Sequence, residues 1–230
     1  MQTFTNSSLV TYTNITESKT KPRNNNIDSI IIHCFVGQVT AKQGCDYFAD
    51  RKRKCSANYV VGYDGSIGLS VDERDRAWCS GGKDKNGKPI RVNGISGADF
   101  DHRAIAIEVA SEATHPYKVT DKAYKSLVNL LVDICKRNNI KELRWKGNKA
   151  YVGKTEHQNM GVHRWFANKA CPGDYLYNLY DEIADEVNAM LNPVLYRVQV
   201  GAFSVKANAE NYLAKLKADG YDGFIVAVTK

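Results

Sequence analysis

The segment around His163 and Cys171 combines residue types that bind metal ions. Cys171 follows His163 by eight residues, Lys169 stands two residues before the cysteine, and a Pro-Gly pair breaks the chain directly after it. Imidazole nitrogen and cysteine thiolate are the ligands that zinc prefers. The spacing is too long for one helical face and too short for two separate elements, so it predicts a loop that folds back and brings both side chains to one point.

A hydrolytic zinc site needs three protein ligands and an open position for water, and His33 can supply the third ligand. It ends the apolar, β-branched run Ile27–His33, which predicts a buried strand. Functional residues gather where strands end in α/β sheets, so the predicted zinc ligands are His33, His163 and Cys171. Two imidazoles and one thiolate leave a positive charge that polarises a carbonyl and acidifies bound water. Strand neighbours point to opposite faces, so Cys34 is not expected to share the site.

A carboxylate and a lysine complete the chemistry that such a site could perform. Glu108 lies inside the apolar segment 104–110, where a carboxylate is costly unless it is paired or functional. Beside a metal ion it could accept a proton from water and pass it to a leaving amine. Lys169 could stabilise the oxyanion of a tetrahedral intermediate. We therefore expect Glu108 and Lys169 to be catalytic.

Each of these residues also has an ordinary structural interpretation. His33 could be a hydrogen-bonded core histidine, and Cys171 a small buried hydrophobic residue. Glu108 could form a salt bridge with Arg103 or Lys169. The sequence alone leaves these alternatives open.

Hydrophobic periodicity predicts that strands and helices alternate around the site. Strands are expected over 27–33, 57–63, 67–71 and 104–110, and Asp64 and Gly65 form the hairpin signal between the second and third. Helices are expected over 41–54, 121–138 and 175–191, with Thr40, Thr120 and Asp174 as their caps. Residues 1–26 read as an irregular arm. The glycine-rich residues 80–101 are expected to form a long functional loop.

Composition and charge exclude several classes of protein. The chain has 230 residues, an ordinary 43% of them hydrophobic, which favours one folded core with room for a small second module. A net charge of +7 and the basic run Arg51–Lys54 would suit an anionic wall or membrane surface, although a solvated helix end explains the run as well. Without a base-reading motif, nucleic acid is not an expected partner.

Targeting signals and cysteine usage indicate in which cellular compartment the protein is made and acts. The sequence has no apolar run of membrane-spanning length, so membrane insertion is not expected, and residues 1–23 lack the pattern of a secretory signal. We expect synthesis in a bacterial host cytoplasm, followed by release to the wall. The six cysteines form no CxxC pair and are expected to be free thiols.

A second hydrophobic pattern of strands and a helix begins at Val194. Alternating residues predict a strand over 196–200, Ser204 is expected to cap a helix that Gly220 ends, and 224–228 predicts a second strand. A strand–helix–strand unit of this size is too small for a good core of its own. The predicted fold is therefore α/β, with a mixed central β-sheet flanked by helices over residues 1–192 and a small βαβ module over 193–230.

The order of these motifs resembles that of the zinc-dependent N-acetylmuramoyl-L-alanine amidases related to T7 lysozyme and the peptidoglycan recognition proteins, in particular the phage-type endolysins. The resemblance covers about residues 27–191 and rests on Ile31-Ile32-His33-Cys34, Ser56-Ala57-Asn58-Tyr59-Val60-Val61, Arg76-Ala77-Trp78-Cys79, Ala106-Ile107-Glu108-Val109, Val162-His163 and Lys169-Ala170-Cys171-Pro172. It implies zinc on the two histidines and the cysteine, with Glu108 and Lys169 beside the metal. It also implies cleavage of the amide between N-acetylmuramic acid and the L-alanine of the stem peptide.

The chain departs from these relatives at positions that line their cleft. Many of them have histidine where Asn58 and Cys79 stand here, which affects substrate detail. By resemblance, Asn58, Tyr59 and Trp78 are expected in the substrate cleft. Some relatives position water with a tyrosine, which makes Tyr59 a weaker candidate for that role. His157 is an alternative ligand that ranks below His163.

The segment Tyr196–Phe203 resembles part of a sporulation-related repeat, a domain that binds peptidoglycan glycan strands. Such a domain has two strand–helix–strand halves, and one is recognised here. We therefore predict that residues 194–230 pair between two chains as a homodimer, rebuilding a four-stranded sheet. The competing interpretation is a tail that packs on its own amidase domain.

The leading hypothesis from the sequence is a phage or prophage endolysin that hydrolyses peptidoglycan. A non-catalytic peptidoglycan-recognition module is the alternative, although such modules have lost a zinc ligand and this chain keeps all three. A cysteine hydrolase that uses Cys171 with His163 would leave His33 and Glu108 unexplained.

Overall fold

The computed structural model describes residues 3–194 and 196–228, which fall into two compact units divided after Pro193. The strands are β1 Tyr12–Thr13, β2 Lys19–Thr20, β3 Ser29–Cys34, β4 Tyr59–Val61, β5 Ile67–Leu69, β6 Arg76–Ala77, β7 Arg91–Val92, β8 Ile95–Ser96, β9 Ala104–Val109 and β10 Met160–Gly161. The helices are α1 Ala41–Ala49, α2 Gly97–Asp101, α3 Asp121–Arg137, α4 Gly173–Asn178, α5 Tyr180–Leu191 and α6 Lys206–Ala218, with 3₁₀ turns at Lys149–Tyr151 and His163–Trp165.

Six strands form one mixed sheet in the order β1-β5-β4-β9-β3-β10. β3 pairs in parallel with β9 and β10, and β9 pairs in parallel with β4. β4 and β5 form the antiparallel hairpin whose turn contains Gly65, at a φ of 85° that favours glycine. The predicted mixed sheet is confirmed.

The two longest strands form the centre of this sheet because both faces of each are apolar. Ile30, Ile31 and Ile32 on β3 are fully buried, as are Ile105 and Ile107 on β9. Continuous β-branched runs of this kind are typical of parallel strands covered on both sides. Their register places the carboxyl ends of β3 and β9 next to each other.

Helices cover both faces of the sheet. On β4, Tyr59 and Val61 belong to the main core cluster with α3 and α5, whereas Val60 packs with Cys45 and Phe48 of α1. Because neighbouring residues of a strand point to opposite faces, α1 covers one face and α3 with α5 covers the other. Thr40 and Thr120 cap α1 and α3 as predicted, accepting hydrogen bonds from the N3 amides.

The N-terminal arm is more ordered than the sequence predicted. β1 adds a parallel strand to β5 at the sheet edge, and β2 pairs with β6. Arg23 is 5% exposed and donates to backbone carbonyls of Glu73, Asp75 and His102 among others. These long-range bonds satisfy the buried guanidinium, so the arm belongs to the domain.

Three predicted elements have different bounds in the structure. α1 ends at Ala49, with Lys54 at a φ of 51°, so the basic run lies outside the helix. The predicted C-terminal helix divides into α4 and α5, and Asp174 lies inside α4 as an ion-pair partner of Arg164 instead of capping. Residues 80–101 contain β7, β8 and α2, so the expected loop is partly regular.

The second unit contains α6, which ends before Gly220 at a φ of 87° as predicted. Ser204 does not cap this helix, because its N-cap residue is Val205 and no side chain bonds there. The strands predicted over 196–200 and 224–228 are not formed in the described part of the tail. A two-stranded ribbon is at best marginally stable in water, which accounts for this difference.

Candidate metal centre and active site

His33 and Glu108 lie side by side at the carboxyl ends of the two central strands. They are register partners across β3 and β9, each one residue before the end of its strand. Val60, opposite Glu108 on β4, packs against α1. The two candidate side chains therefore share the α1 face of the sheet, at the edge where strand ends meet.

The loop after β10 brings His163 and Cys171 over these strand ends. The amide of Arg164 donates to the carbonyl of Cys171 at 3.0 Å, which closes the loop. Cys171 Sγ then lies 3.2 Å from His33 Nδ1, and the rings of His33 and His163 meet edge to face with centroids 5.0 Å apart. One ligand atom from each of the three residues lies within 4.8 Å of the others.

Electrostatics keep both imidazoles neutral, which is the form that binds metal. Burial lowers the pKa of His33 well below its usual value, and His163 lowers it further. Burial also lowers the pKa of His163 to about 4, against a hydrogen bond with the backbone of Gly81 that raises it. A hydrogen bond with Cys34, followed by burial, raises the pKa of the Cys171 thiol.

Two buried atoms at this site lack hydrogen-bond partners in the described part of the chain. Of the five buried side-chain atoms without a hydrogen-bond partner among the described residues, His163 Nε2 and Glu108 Oε2 belong to candidate site residues. Buried polar atoms without partners are costly, and a metal ligand is one explanation for such an atom. The His163 ring also interacts with the backbone of Gly81, and hydrogen bonds of this kind orient metal-binding histidines. The donor set of two imidazoles and a thiol fits zinc.

Glu108 is not in the salt bridge with Arg103 that the sequence allowed, because Arg103 pairs with Asp28. The Cys79 thiol donates to Glu108 Oε1 at 3.9 Å. Burial raises the pKa of Glu108 well above its usual value, whereas the charge of Lys169 lowers it. The same lysine lowers the pKa of His163, so the exposed Lys169 lies near both groups.

The weaker candidates lie elsewhere or have structural partners. Tyr59 is on the opposite face of the sheet from Glu108 and donates its hydroxyl proton to Glu73 at 2.7 Å. Asn58 is fully buried, and its amide bonds the backbones of Ala106 and Val71. Neither side chain is open to substrate, because packing and hydrogen bonds occupy both.

Trp78 and His157 complete the predicted set. Trp78 is partly exposed and donates from its indole nitrogen to Thr20 at 2.9 Å, which leaves part of its ring at the surface. His157 is exposed and contacts Tyr151 and Glu156. It belongs to neither group of candidate metal ligands in the described part of the chain.

Sequence reasoning missed three residues that surround the site. The thiol of Cys34 interacts with that of Cys171, although Cys34 belongs to neither group of candidate metal ligands among the described residues. Ser80 Oγ lies 3.3 Å from His33 Nε2. Asp101 accepts the backbone amides of Cys79 and Ser80, and burial raises its pKa to about 6. Ser80 and Asp101 belong to no local motif, whereas Cys34 is part of the motif that contains His33.

An α/β sheet with two histidines, a cysteine and a buried carboxylate at its strand ends defines a candidate metal-dependent hydrolase. The sequence profile of the N-acetylmuramoyl-L-alanine amidases matches residues 23–174, and that of the SPOR domain matches residues 192–230. The chain belongs to the N-acetylmuramoyl-L-alanine amidase family and carries a SPOR domain. The predicted peptidoglycan amidase and sporulation-related repeat are both confirmed.

Solved structures share the fold at low sequence identity. The PlyG catalytic domain is similar with a TM-score of 0.54 and 13% identity, over 81% of this chain and 98% of that one. AmpD is similar with a TM-score of 0.50 and 17% identity, over 80% and 99%. PlyL is similar with a TM-score of 0.50 and 13% identity, over 76% and 95%. A comparison with curated proteins gave no match.

Proposed function

We propose that the amidase domain binds one zinc ion through His33, His163 and Cys171. The observation that carries this proposal is the convergence of one ligand atom from each of the three residues within 4.8 Å. His163 also has a buried Nε2 without a hydrogen-bond partner among the described residues. Their separation along the sequence means that the fold assembles the group. Three ligands leave an open position, which is typical of catalytic zinc. When bound, zinc supplies a Lewis acid that polarises the scissile carbonyl.

Glu108 is the proposed general base. Its buried Oε2 accepts the proton of the attacking water and returns it to the nitrogen of the leaving amine. Without a cation, burial favours the protonated acid. A divalent charge nearby reverses that preference and leaves a carboxylate able to accept a proton. Lys169 extends from the flanking loop and stabilises the negative oxygen that develops on the carbonyl.

The proposed substrate bond is the amide that joins N-acetylmuramic acid to the L-alanine of the stem peptide, and the proposed role is that of a phage or prophage endolysin. The SPOR domain adds a second unit directed at peptidoglycan. Neither nucleic acid nor the membrane interior is a proposed partner. No helix in the described ranges is long and apolar enough to cross a bilayer.

The two competing hypotheses are less well supported. A recognition module without catalysis would lack a ligand, whereas all three ligands converge here. A cysteine hydrolase needs an activated thiolate, but the Cys34 hydrogen bond and burial raise the pKa of Cys171. A bound cation deprotonates a thiol that binds it, so the raised pKa opposes a free nucleophile more than a metal ligand.

Metal analysis with a wall-lysis assay tests the proposal. The chain should hold one zinc per molecule, and a chelator should stop the loss of turbidity of purified walls. Cys171→Ser should lower zinc affinity by more than the roughly 10- to 100-fold that loss of a ligand-supporting residue costs. Cys135→Ala, which removes a thiol buried in α3, is the matched control.

Product analysis separates the reaction classes. Peptides that begin with L-alanine should accumulate as turbidity falls. New reducing ends without new amino ends would identify a glycosidase instead. Full zinc occupancy in Cys171→Ser would refute the ligand assignment, and lysis that persists without metal would favour the cysteine hydrolase.

A further inference from the structure

A second group of metal-binding side chains lies beside the proposed zinc ligands. Ligand atoms of His33, Cys79 and Glu108 lie within 4.8 Å of one another. Imidazole, thiolate and carboxylate are all zinc ligands, at about 2.0 to 2.3 Å from the ion, so a sulfur and an oxygen on one tetrahedral ion are about 3.5 Å apart. Cys79 Sγ and Glu108 Oε1 are 3.9 Å apart, which is near that separation.

The fold holds Cys79 in place for this contact. Asp101 Oδ2 accepts the amide of Cys79 at 3.1 Å and that of Ser80 at 2.9 Å, which fixes the backbone on both sides of the cysteine side chain. Glu108 is fixed by β9, and its Oε2 is buried without a partner among the described residues. The thiol and the carboxylate are thus positioned before any ion binds.

The two nitrogens of the His33 ring have different neighbours. Its Nδ1 lies 3.2 Å from Cys171 Sγ, on the side of the proposed zinc ligands. Its Nε2 lies 3.3 Å from Ser80 Oγ, the residue that follows Cys79. One imidazole ring can bind two ions through its two nitrogens when the ring proton is released.

We propose that Cys79, Glu108 and the Nε2 atom of His33 form a second, lower-affinity site for a thiophilic divalent cation such as zinc, and that its occupation inhibits the enzyme. Binding releases to solvent the protons of the Cys79 thiol and the His33 ring, and that of Glu108 where it carries one. The inference rests on the proposed function in placing the first ion on His33, His163 and Cys171.

Inhibition follows from the ligand that the second ion uses. A Glu108 carboxylate that binds a cation no longer accepts a proton from water, so the proposed base is lost. Cys79 is partly exposed, so an ion from solvent can reach the site. Activity should therefore rise with the first equivalent of zinc and fall as the second binds.

Equilibrium dialysis of the full chain against increasing free zinc tests the inference. Wild type and the Cys135→Ala control should bind a first equivalent tightly and a second at higher zinc concentration. Cys79→Ser should keep the first equivalent and lose the second. Excess zinc should then inhibit Cys79→Ser less than wild type, each measured relative to its own activity with one zinc.

Cobalt provides a readout that is independent of activity. Thiolate-to-cobalt charge-transfer absorption should grow with the second equivalent in wild type, because Cys79 adds a second thiolate, and it should not grow in Cys79→Ser. A wild-type chain that binds one equivalent in excess zinc would overturn the inference. So would a second equivalent that persists in Cys79→Ser, which would locate it at the surface.

Failure of the proposed function gives a different result. If Cys171→Ser keeps the first equivalent, the primary ligand assignment is wrong, whatever the second site does. If circular dichroism shows that Cys79→Ser does not fold, the cobalt titration of the wild-type chain still tests the inference. A second equivalent without added thiolate absorption would refute the role of Cys79.

Discussion

Among the described residues, Glu108 forms no ion pair, although Lys169 lies near enough to lower its pKa. Its nearest described polar contact is the weakly donating thiol of Cys79, and burial raises its pKa. Isolated buried carboxylates are costly, so the fold retains this one at the expense of stability. The proposed role of Glu108, a base that works only beside a bound metal ion, would explain why it is kept.

Replacing Glu108 by glutamine tests this role. Glu108→Gln keeps the shape of the side chain but cannot accept a proton, so turnover should fall on the order of a hundredfold or more. Zinc content should stay at one equivalent, as metal analysis would measure. Glu17→Gln, at an exposed carboxylate, is the control. Turnover near that of wild type would assign the proton transfer to another group.

Asp101 accepts the backbone amides of Cys79 and Ser80 beside the site. Its titration should change the free energy of unfolding. Burial raises its pKa to about 6 from an ordinary value of 3.8. The folded state therefore binds more protons than the unfolded state between these values, so this group lowers the free energy of unfolding as pH rises through that window. At neutral pH the loss is about 3 kcal/mol at most.

Asp101→Asn should remove this pH dependence. The amide oxygen can still accept the amides of Cys79 and Ser80, while the side chain no longer ionises. Urea denaturation at several pH values should show the variant gaining stability relative to wild type between about pH 4 and pH 6. A constant difference across that range would show that Asp101 does not titrate there.

At the scale of elements, the sequence predicted those whose signal is local. Isoleucine runs identify β3 and β9, the Asp64-Gly65 pair identifies the hairpin, and threonine caps start α1 and α3. The order of the motifs along the chain was enough to group His33, Glu108, His163 and Cys171 as one site. Contacts between residues distant in sequence were missed, because Asp101 and Ser80 reach the site only in the folded chain.

Tyr59 is another residue whose contacts could not be predicted from its local sequence. Its motif suggested a cleft residue, but the register of β4 turns it to the other face. There it donates to Glu73, which also receives Arg137 at 2.7 Å, and it accepts the amide of Ser7 at 2.9 Å. This cluster joins the N-terminal arm to β4 and α3.

Tyr59→Phe should therefore affect stability and not chemistry. Removing the hydroxyl leaves Glu73 and the Ser7 amide each short of a buried partner, which costs about 1–3 kcal/mol. Chemical denaturation should show this loss, while turnover per folded molecule stays unchanged. Tyr63→Phe, at an exposed tyrosine, is the control. A large fall in turnover with unchanged stability would restore the catalytic candidate.

At the scale of the whole molecule, the two units differ in how they bury apolar side chains. The amidase unit encloses a continuous core around β3, β9 and α3. In the tail, Tyr196, Val198 and Phe224 are 92%, 88% and 75% exposed. Exposed apolar clusters of this kind mark interaction surfaces.

We predict that the tail pairs with a second copy of itself. Its alternating segments are not strands in the single chain, and two of them alone would be marginal. Two tails about a twofold axis would supply four strands and cover the apolar side chains of both. Such a dimer would present two amidase domains to one wall, raising their effective concentration there.

Light scattering measures the outcome directly. The full chain should have twice the monomer mass at micromolar concentration, and a chain cut after Pro193 should be monomeric. Val198→Asp should weaken the dimer because it places a charge in the paired face, whereas Asn208→Asp on the exposed surface of α6 should not. A full-length chain that is monomeric, with a mass unaffected by the truncation beyond the lost residues, would leave the tail as a wall-binding segment that acts alone.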